Sequence, residues 1–564
     1  MLLKNIAFSL SFLIICLFTN AQSTVKRYTQ HKKIVCNKAA VVSAHPLASN
    51  AGIQMIKKGG NAFDAAIATQ LALAVVYPGA GNIGGGGFMV AHLANGKNFT
   101  LDYREMAPAK ASRDMYLDAE GNPVKDLSLD GHLSAGVPGT VAGLFATLKY
   151  AKLPFSTLIQ PAIELAENGF PITEMQATSF NANREYFIRL NTTTPVFVKD
   201  TEWKAGDLLI QKDLANTLKR ISRLGQKGFY EGETAKLMIE EMQRGKGIIS
   251  YDDLKAYKAV ERDALEFDYK TAHVITMPLP SSGGIILQQM LKMIEQRNIA
   301  SMGFLSAGAV QLMVEVERRA FADRAMFLGD PDFVKVPVKE LTSKSYLEER
   351  MKDYDPLKAG NSTTTKQGIL KESEETTHIS IIDAAGNAIA VTTTLNNAYG
   401  SKTVVTGAGF ILNDEMDDFS IKPGVPNLYG AIGNEKNAIA PGKRMLSSMT
   451  PVIVLKNNKP FIVVGSPGGT TIPTSAFQSI VDILEFNMSP GDAVNKPKFH
   501  HQWLPDVVYV ERTFPPATLK ILEDMGYHIV ERDPIGRVEL ILVNSKKKIT
   551  AIADSRGDDS AAGF

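Results

Sequence analysis

The stretch TTHISIIDAAGNAIAVTTTLNN, residues 376–397, limits the possible fold more than any other part of the chain. Apolar and small polar residues flank Asp383-Ala384-Ala385-Gly386-Asn387, a loop in which Gly386 suits positive φ, so the segment predicts an antiparallel hairpin. Symmetric pairing about Ala385 sets Asp383 opposite Asn387 and, by the same sum, Thr376 opposite Thr394. Both threonines then share one face, with Asn396 two residues further along it. Threonine is a good strand former, which alone could explain the hydroxyls. The approach to the hairpin argues for more. Residues 352–375, KDYDPLKAGNSTTTKQGILKESEE, are polar and turn-rich, and predict a flexible segment that ends abruptly at Glu375.

The order of the other elements selects the fold class. Residues 47–77 predict one helix, apolar nearly all round and stopped by Pro78. GAGNIGGGGFMVAHLANGKNFTLDYREMAP then predicts a glycine loop, a strand, an Asn-Gly turn and a second strand. Residues 134–330 predict mainly helix. Strands dominate from 376 until the helix TSAFQSIVDILEF, and two strands in RVELILVNSKKKITAIADS close the chain. Helices first and strands later fit a layered α+β sandwich better than a doubly wound parallel sheet.

The N-terminus, MLLKNIAFSLSFLIICLFTNAQST, reads as a secretory signal peptide over residues 1–21. Its apolar run, Ile6 to Phe18, is shorter than the roughly 20 residues a membrane span needs. Ile15 before Cys16 argues against lipidation. The expectation is an exported protein, periplasmic or secreted, with no membrane span once the signal is removed. A formal charge of +2 gives no basic field suited to nucleic acid. Cys36 is then the one cysteine of the mature chain, expected as a buried bystander, and no intrachain disulfide is possible.

Three motifs mislead. Gly79, Gly81 and Gly84 spell G-x-G-x-x-G, but a helix precedes them and a strand follows, the reverse of a dinucleotide site. The run Gly84 to Gly87 instead predicts a close approach of backbone to something else. The nine histidines never fall at ligand spacing, so no metal is expected. Val464-Gly465-Ser466-Pro467-Gly468 has valine where a nucleophile elbow requires glycine.

A threonine hydroxyl needs an adjacent base to attack a carbonyl, and its own α-amine serves when the threonine is an N-terminus. That amine titrates near about 7.7–8.0, close enough to neutrality for the role. Thr376 gains a free amine only if the chain is cut between Glu375 and Thr376, a cut its own hydroxyl could make on the Glu375 carbonyl. KPFIVVGSPGGTTIPTSAFQSIVDIL offers a strand, the Gly468-Gly469 turn and a helix, whose backbone N–H groups suit an oxyanion. On this stretch alone, glycines that are merely structural remain an equal reading.

At this point longer motifs enter. TTHISIIDAAGNAIAVTTTLN, ILNDEMDDFSIKPGVPNLYG, RMLSSMTP, GSPGGTTI, LDYREMAPAKASRDMYLD and the ending DDSAAGF closely resemble the γ-glutamyltranspeptidases (glutathione hydrolases), over roughly residues 35–564. The resemblance implies the N-terminal-nucleophile hydrolase fold, a four-layer αββα sandwich. It implies self-cleavage into a large subunit, 22–375, and a small subunit, 376–564, held as a heterodimer. Thr376 aligns with the nucleophile, Thr394 with the threonine that hydrogen-bonds it, and Gly468 and Gly469 with the oxyanion pair. Arg104, Ser447 and Ser448 align with residues that hold the γ-glutamyl α-carboxylate, and Asn396, Glu415 and Asp418 with those around the α-amino group. Tyr429 matches a loop that covers the active site in many members. Glu415 and Glu375 stand where some relatives carry glutamine.

The implied activity is γ-glutamyl transfer from glutathione or related amides to water, an amino acid or a peptide, without cofactor or metal. Two rivals stay open. One is a cephalosporin or glutaryl acylase of the same fold, and the other an unprocessed, catalytically silent relative. Taken one residue at a time, the plainer readings are favoured, a structural ion pair of Arg104 with Glu105 or Asp102 and an ordinary acidic turn at Asp417-Asp418; the ordered set of motifs reverses that.

Overall fold

The hairpin forms in the expected register. In the computed structural model, which describes residues 28–124, 126–362, 376–422 and 434–564, Thr377–Ile382 pairs antiparallel with Ala388–Thr394, from Thr377↔Thr393 to Ile382↔Ala388. Continued by one residue, the ladder sets Thr376 across from Thr394. The Asp383 carboxylate accepts the N–H groups of Ala385, Gly386 and Asn387, and Gly386 takes φ 96°. That carboxylate closes the turn and locks the register.

Two seven-stranded sheets hold the chain together. In spatial order, one runs Ser560–Gly563, Ala40–Ser43, Thr377–Ile382, Ala388–Thr394, Gly86–His92, Asn98–Asp102 and Val260–Arg262. The other runs Lys33–Cys36, Ile549–Ile552, Glu539–Val543, Lys459–Gly465, Val452–Lys456, Ala272–Thr276 and Leu265–Tyr269. The period-2 alternation of each strand sorts its side chains into layers. Val42, Val90, Ala390 and Ile382 meet Ile453, Val463 and Ile541 between the sheets. Val41, Met89, Ile381 and Val391 face an outer helical layer, and Val454, Val464 and Leu540 face another. This is the αββα sandwich.

Three local expectations need correction. Residues 47–77 are not one helix but two, Pro46–Lys57 and Ala62–Val76. Gly59 turns at φ 97°, and Asn61 with Asp64 forms a reciprocal capping box that starts the second helix. The stretch 134–330 also holds strands, including Leu265–Tyr269 and Ala272–Thr276. The chain closes with a third strand, Ser560–Gly563, paired to Ala40–Ser43. Ser-Ala-Ala-Gly carries no β-branched or aromatic residue, so composition conceals it. Cys36 is buried at a strand end, and its thiol donates to the Ala39 carbonyl at 3.2 Å. Among the described residues no helix is long and apolar enough to cross a membrane.

The glycine run is a close approach, as read. A Cβ on Gly84 would lie 2.1 Å from the Ile411 carbonyl oxygen, on Gly85 2.2 Å from that of Thr394, and on Gly87 2.5 Å from that of Thr392. The neighbouring strand can therefore seat Thr394 only against bare backbone. Gly85→Ala is expected to destabilise the protein by about 1–3 kcal/mol, the range for overpacking. Urea or thermal unfolding beside Gly308→Ala checks this, since Gly308 lies in a helix with nothing within 4 Å of its added methyl. The control should be neutral or stabilising.

Candidate active site

Thr376, His378 and Ser380 alternate onto the face that meets the opposite sheet. Ser380 donates to the Glu539 carbonyl at 3.0 Å, and the His378 ring packs where a Gly465 side chain would stand. Burial drives His378 down to about 3, so the ring is neutral, bonded to Thr392 and Ser380. Both ring nitrogens are thus engaged by residues other than Thr376.

A small cavity opens at this end of the sandwich. Thr376, Thr394 and Asn396 reach it from the hairpin, and Arg104 from just beyond the Asn98–Asp102 strand. Glu415 and Asp418 come from a single 3₁₀ turn, Ser447 and Ser448 from the segment before Val452–Lys456, and Gly469 from the turn before the helix Thr471–Leu484. Gly468 stands one residue behind the lining. Tyr429 and Glu375 lie outside the described residues.

Thr394 is fixed from two sides. Asn82 donates to its carbonyl at 2.8 Å, and the Asn396 N–H donates to its hydroxyl at 2.8 Å. Asn396 takes φ 81°, a left-handed backbone that asparagine tolerates better than most residues, and its side chain donates to the Asp414 carbonyl at 3.0 Å. The glycine turn is equally determined. The Gly468 carbonyl accepts both the N–H and the hydroxyl of Thr471, at 3.0 and 2.8 Å. Because the peptide is planar and trans, the Gly469 N–H points the opposite way, off the helix end. The helix has no side-chain cap there, so its N-terminal partial positive charge adds to that donor.

Arg104 is 1% exposed and pairs with both Glu415 and Asp418, with Glu105 3.6 Å from the same guanidinium. Asp102 is otherwise engaged, since it accepts the Arg104 N–H and pairs with Arg262 and Arg444. The Arg104 side chain thus faces the cavity acids and not Asp102. Burial pushes Glu415 well above the carboxylate range and Glu105 up to about 8, each held back by Arg104. Burial raises Asp418 too, against the pull of Arg104. Three carboxyl groups crowd one buried guanidinium, so acceptor oxygens outnumber the N–H groups it can offer and suit the donors of a cationic ligand group. Asp418, 19% exposed, is the acid such a group meets first.

The cavity also contains residues that sequence reasoning did not find: Arg324, Met449, Thr470 and Ile472. Asn82, which holds Thr394, was missed as well. It sits inside the glycine loop, where only its neighbours drew notice. Arg324 lies near the end of an ordinary helix and carries no local signal.

The family model for gamma-glutamyltranspeptidase matches residues 48–564. The glutathione hydrolase proenzyme of Escherichia coli (strain K12) is 45% identical over 530 residues, covering 93% of this chain and 91% of that protein. The solved Helicobacter pylori gamma-glutamyltranspeptidase is 45% identical with a TM-score of 0.56, covering 57% of this chain and 94% of the solved one. The cephalosporin acylase from Bacillus halodurans superposes with a TM-score of 0.82 over 96% of this chain and 98% of its own. At 23% identity that last likeness is one of fold alone.

Proposed function

The chain belongs to the gamma-glutamyltranspeptidase family and is an enzyme of that family, and from that premise we propose that it cuts itself before Thr376 and then transfers γ-glutamyl groups through that residue. In the first step the Thr376 hydroxyl attacks the Glu375 carbonyl. The peptide becomes an ester, and water releases Glu375 as a carboxylate and Thr376 with a free α-amine. In the second, that amine takes the hydroxyl proton as the oxygen attacks the γ-carbonyl of glutathione or a related amide. N–H groups of Gly468 and Gly469 stabilise the oxyanion, a contribution of about 3–4 kcal/mol for one such donor. The departing amine leaves with a proton, and water or an amino acid or peptide acceptor takes the γ-glutamyl group from the ester. The steps need no cofactor or metal.

The observation that carries this reading is one cavity holding Thr376 beside Arg104, Glu415 and Asp418. The nucleophile sits with a guanidinium for an α-carboxylate, joined by Ser447 and Ser448, and with acids and Asn396 for an α-ammonium. A γ-glutamyl group carries both charges on one carbon; a glutaryl group lacks the amine. For this reason the acylase reading is the weaker one. The pieces 22–375 and 376–564 would stay together as a heterodimer, because each sheet is built of strands from both. The leader over residues 1–21 supports export to the periplasm or beyond.

Release of p-nitroaniline from γ-glutamyl and glutaryl anilides tests the assignment. The γ-glutamyl substrate should be favoured about 100-fold or more, the worth of one or two charge-assisted hydrogen bonds. Added glycylglycine should speed release and appear as its γ-glutamyl adduct. Preference for the glutaryl anilide overturns the reading.

A further inference from the structure

Arg324 is the second guanidinium in the cavity wall, and the steps above leave it without a role. It stands in the last turn of the helix Ala307–Phe327 and is half-buried. Its Nε donates to the Ser282 hydroxyl at 3.1 Å and its Nη2 to the Ser448 hydroxyl at 3.3 Å. A guanidinium only donates, so each serine oxygen accepts from Arg324 and keeps its own proton for another partner. Ser282 gives that proton to the Ser447 carbonyl at 2.6 Å, and its N–H reaches the same carbonyl at 2.7 Å. The Ser447 hydroxyl oxygen accepts the Met449 N–H at 3.1 Å. Both hydroxyls that line the cavity, Ser447 and Ser448, are therefore occupied on the oxygen side by N–H donors. Each already accepts one N–H, which leaves its proton available to a ligand.

Charge leads to the same place. Arg104 is already engaged by Glu415 and Asp418, with Glu105 3.6 Å away, so an entering carboxylate would have to compete with these acids if Arg104 were the one cation near it. Arg324 is close enough to Asp418 to lower that acid's proton affinity. We infer that Arg324 is a positioning residue for substrate recognition: by donating to Ser448 it directs that hydroxyl's proton to the substrate's α-carboxylate, through Ser282 it holds the Ser447 backbone in place, and its charge offsets the acids nearby. The inference rests on the γ-glutamyl reading and extends it to a residue outside the motifs that carried that reading.

The test uses two probes on the mature enzyme: γ-glutamyl-p-nitroanilide, and the same anilide with its α-carboxylate capped as a carboxamide. In the wild type the ratio of kcat/KM, carboxylate over carboxamide, measures how strongly the free carboxylate is read. Arg324→Met should lower that ratio tenfold or more, mainly through KM for the carboxylate probe. Arg324→Lys, which keeps charge and one donor, should fall between. Ser448→Ala in the Arg324→Met background should add little to the loss, because the arginine acts through that hydroxyl.

Intact mass shows first whether each variant has matured, and if Arg324→Met has not, Arg324→Lys and Ser448→Ala alone carry the comparison. An unchanged ratio in matured Arg324→Lys, whatever happens to absolute rates, overturns the inference, as does an equal loss on both probes in Arg324→Met. Failure of the wild type to prefer the carboxylate probe would instead sink the γ-glutamyl reading itself.

Discussion

Thr376→Ala is expected to give one uncut chain and no measurable transfer. In the proposed mechanism the single substitution removes the hydroxyl that makes the cut and, with the cut, the α-amine that serves as base in turnover. Losing a nucleophile that acts as a unit with its base costs about 10⁴-fold or more in kcat. The variant should still fold. Thr376 is 5% exposed at the cavity edge, and the strand ladder begins one residue later, at Thr377. Thr376→Ser keeps a hydroxyl and an amine, so it should mature and turn over. Intact mass and N-terminal sequencing of the three proteins decide the matter: wild type and Thr376→Ser in two pieces, the smaller beginning Thr-Thr-His-Ile or Ser-Thr-His-Ile, and Thr376→Ala in one. A cut Thr376→Ala chain with activity would exclude this residue as the nucleophile.

Arg104→Lys should raise KM for γ-glutamyl-p-nitroanilide about 10–100-fold while kcat changes much less. Lysine keeps the charge but not the planar fork that meets a carboxylate with two parallel N–H groups. That loss is about 1.5–3 kcal/mol, the worth of one hydrogen bond to a charged group. Arg104→Ala is a different experiment. It leaves Glu415, Asp418 and Glu105 facing one another at the cavity with their shared counter-ion gone, and removing one member of a buried pair costs about 3–5 kcal/mol in stability. Melting curves alongside KM separate the two effects. A normal melt and normal KM for Arg104→Lys would remove Arg104 from substrate recognition.

How much of this was legible in the chain depended on distance along it. The hairpin register could be read because strand period and loop symmetry are local, and Asp383 locks the turn where the symmetry sets it. The close approach at Gly84–Gly87 was legible for the same kind of reason, although which backbones approach was not. The break at residues 58–61, Lys-Gly-Gly-Asn, carried its own turn and cap signals and was passed over because helical sequence continues on both sides. Sheet order was out of reach, since Ala40–Ser43 lies between two strands that begin at residues 377 and 560. Arg104, Glu415 and Asp418 converge across some three hundred residues, and no spacing rule links them. They were proposed together through family resemblance, and Arg324, outside the quoted motifs, was not.

The interleaving of the two sheets gives the protein a history as well as a shape. While the chain is whole, every strand pairing is an event within one molecule, and failed pairings can be retried at no cost in concentration. If the bond before Thr376 is cut as proposed, the Thr377–Ile382 and Ala388–Thr394 strands lie between strands of another polypeptide, Ala40–Ser43 on one side and Gly86–His92 on the other. Unfolding then releases two partners that must find each other by diffusion, each with sheet edges exposed to pairing with the wrong neighbour. A protein cut in this way is built under one set of odds and must survive under another, so its working lifetime would depend on how slowly it opens and not on how readily it could refold.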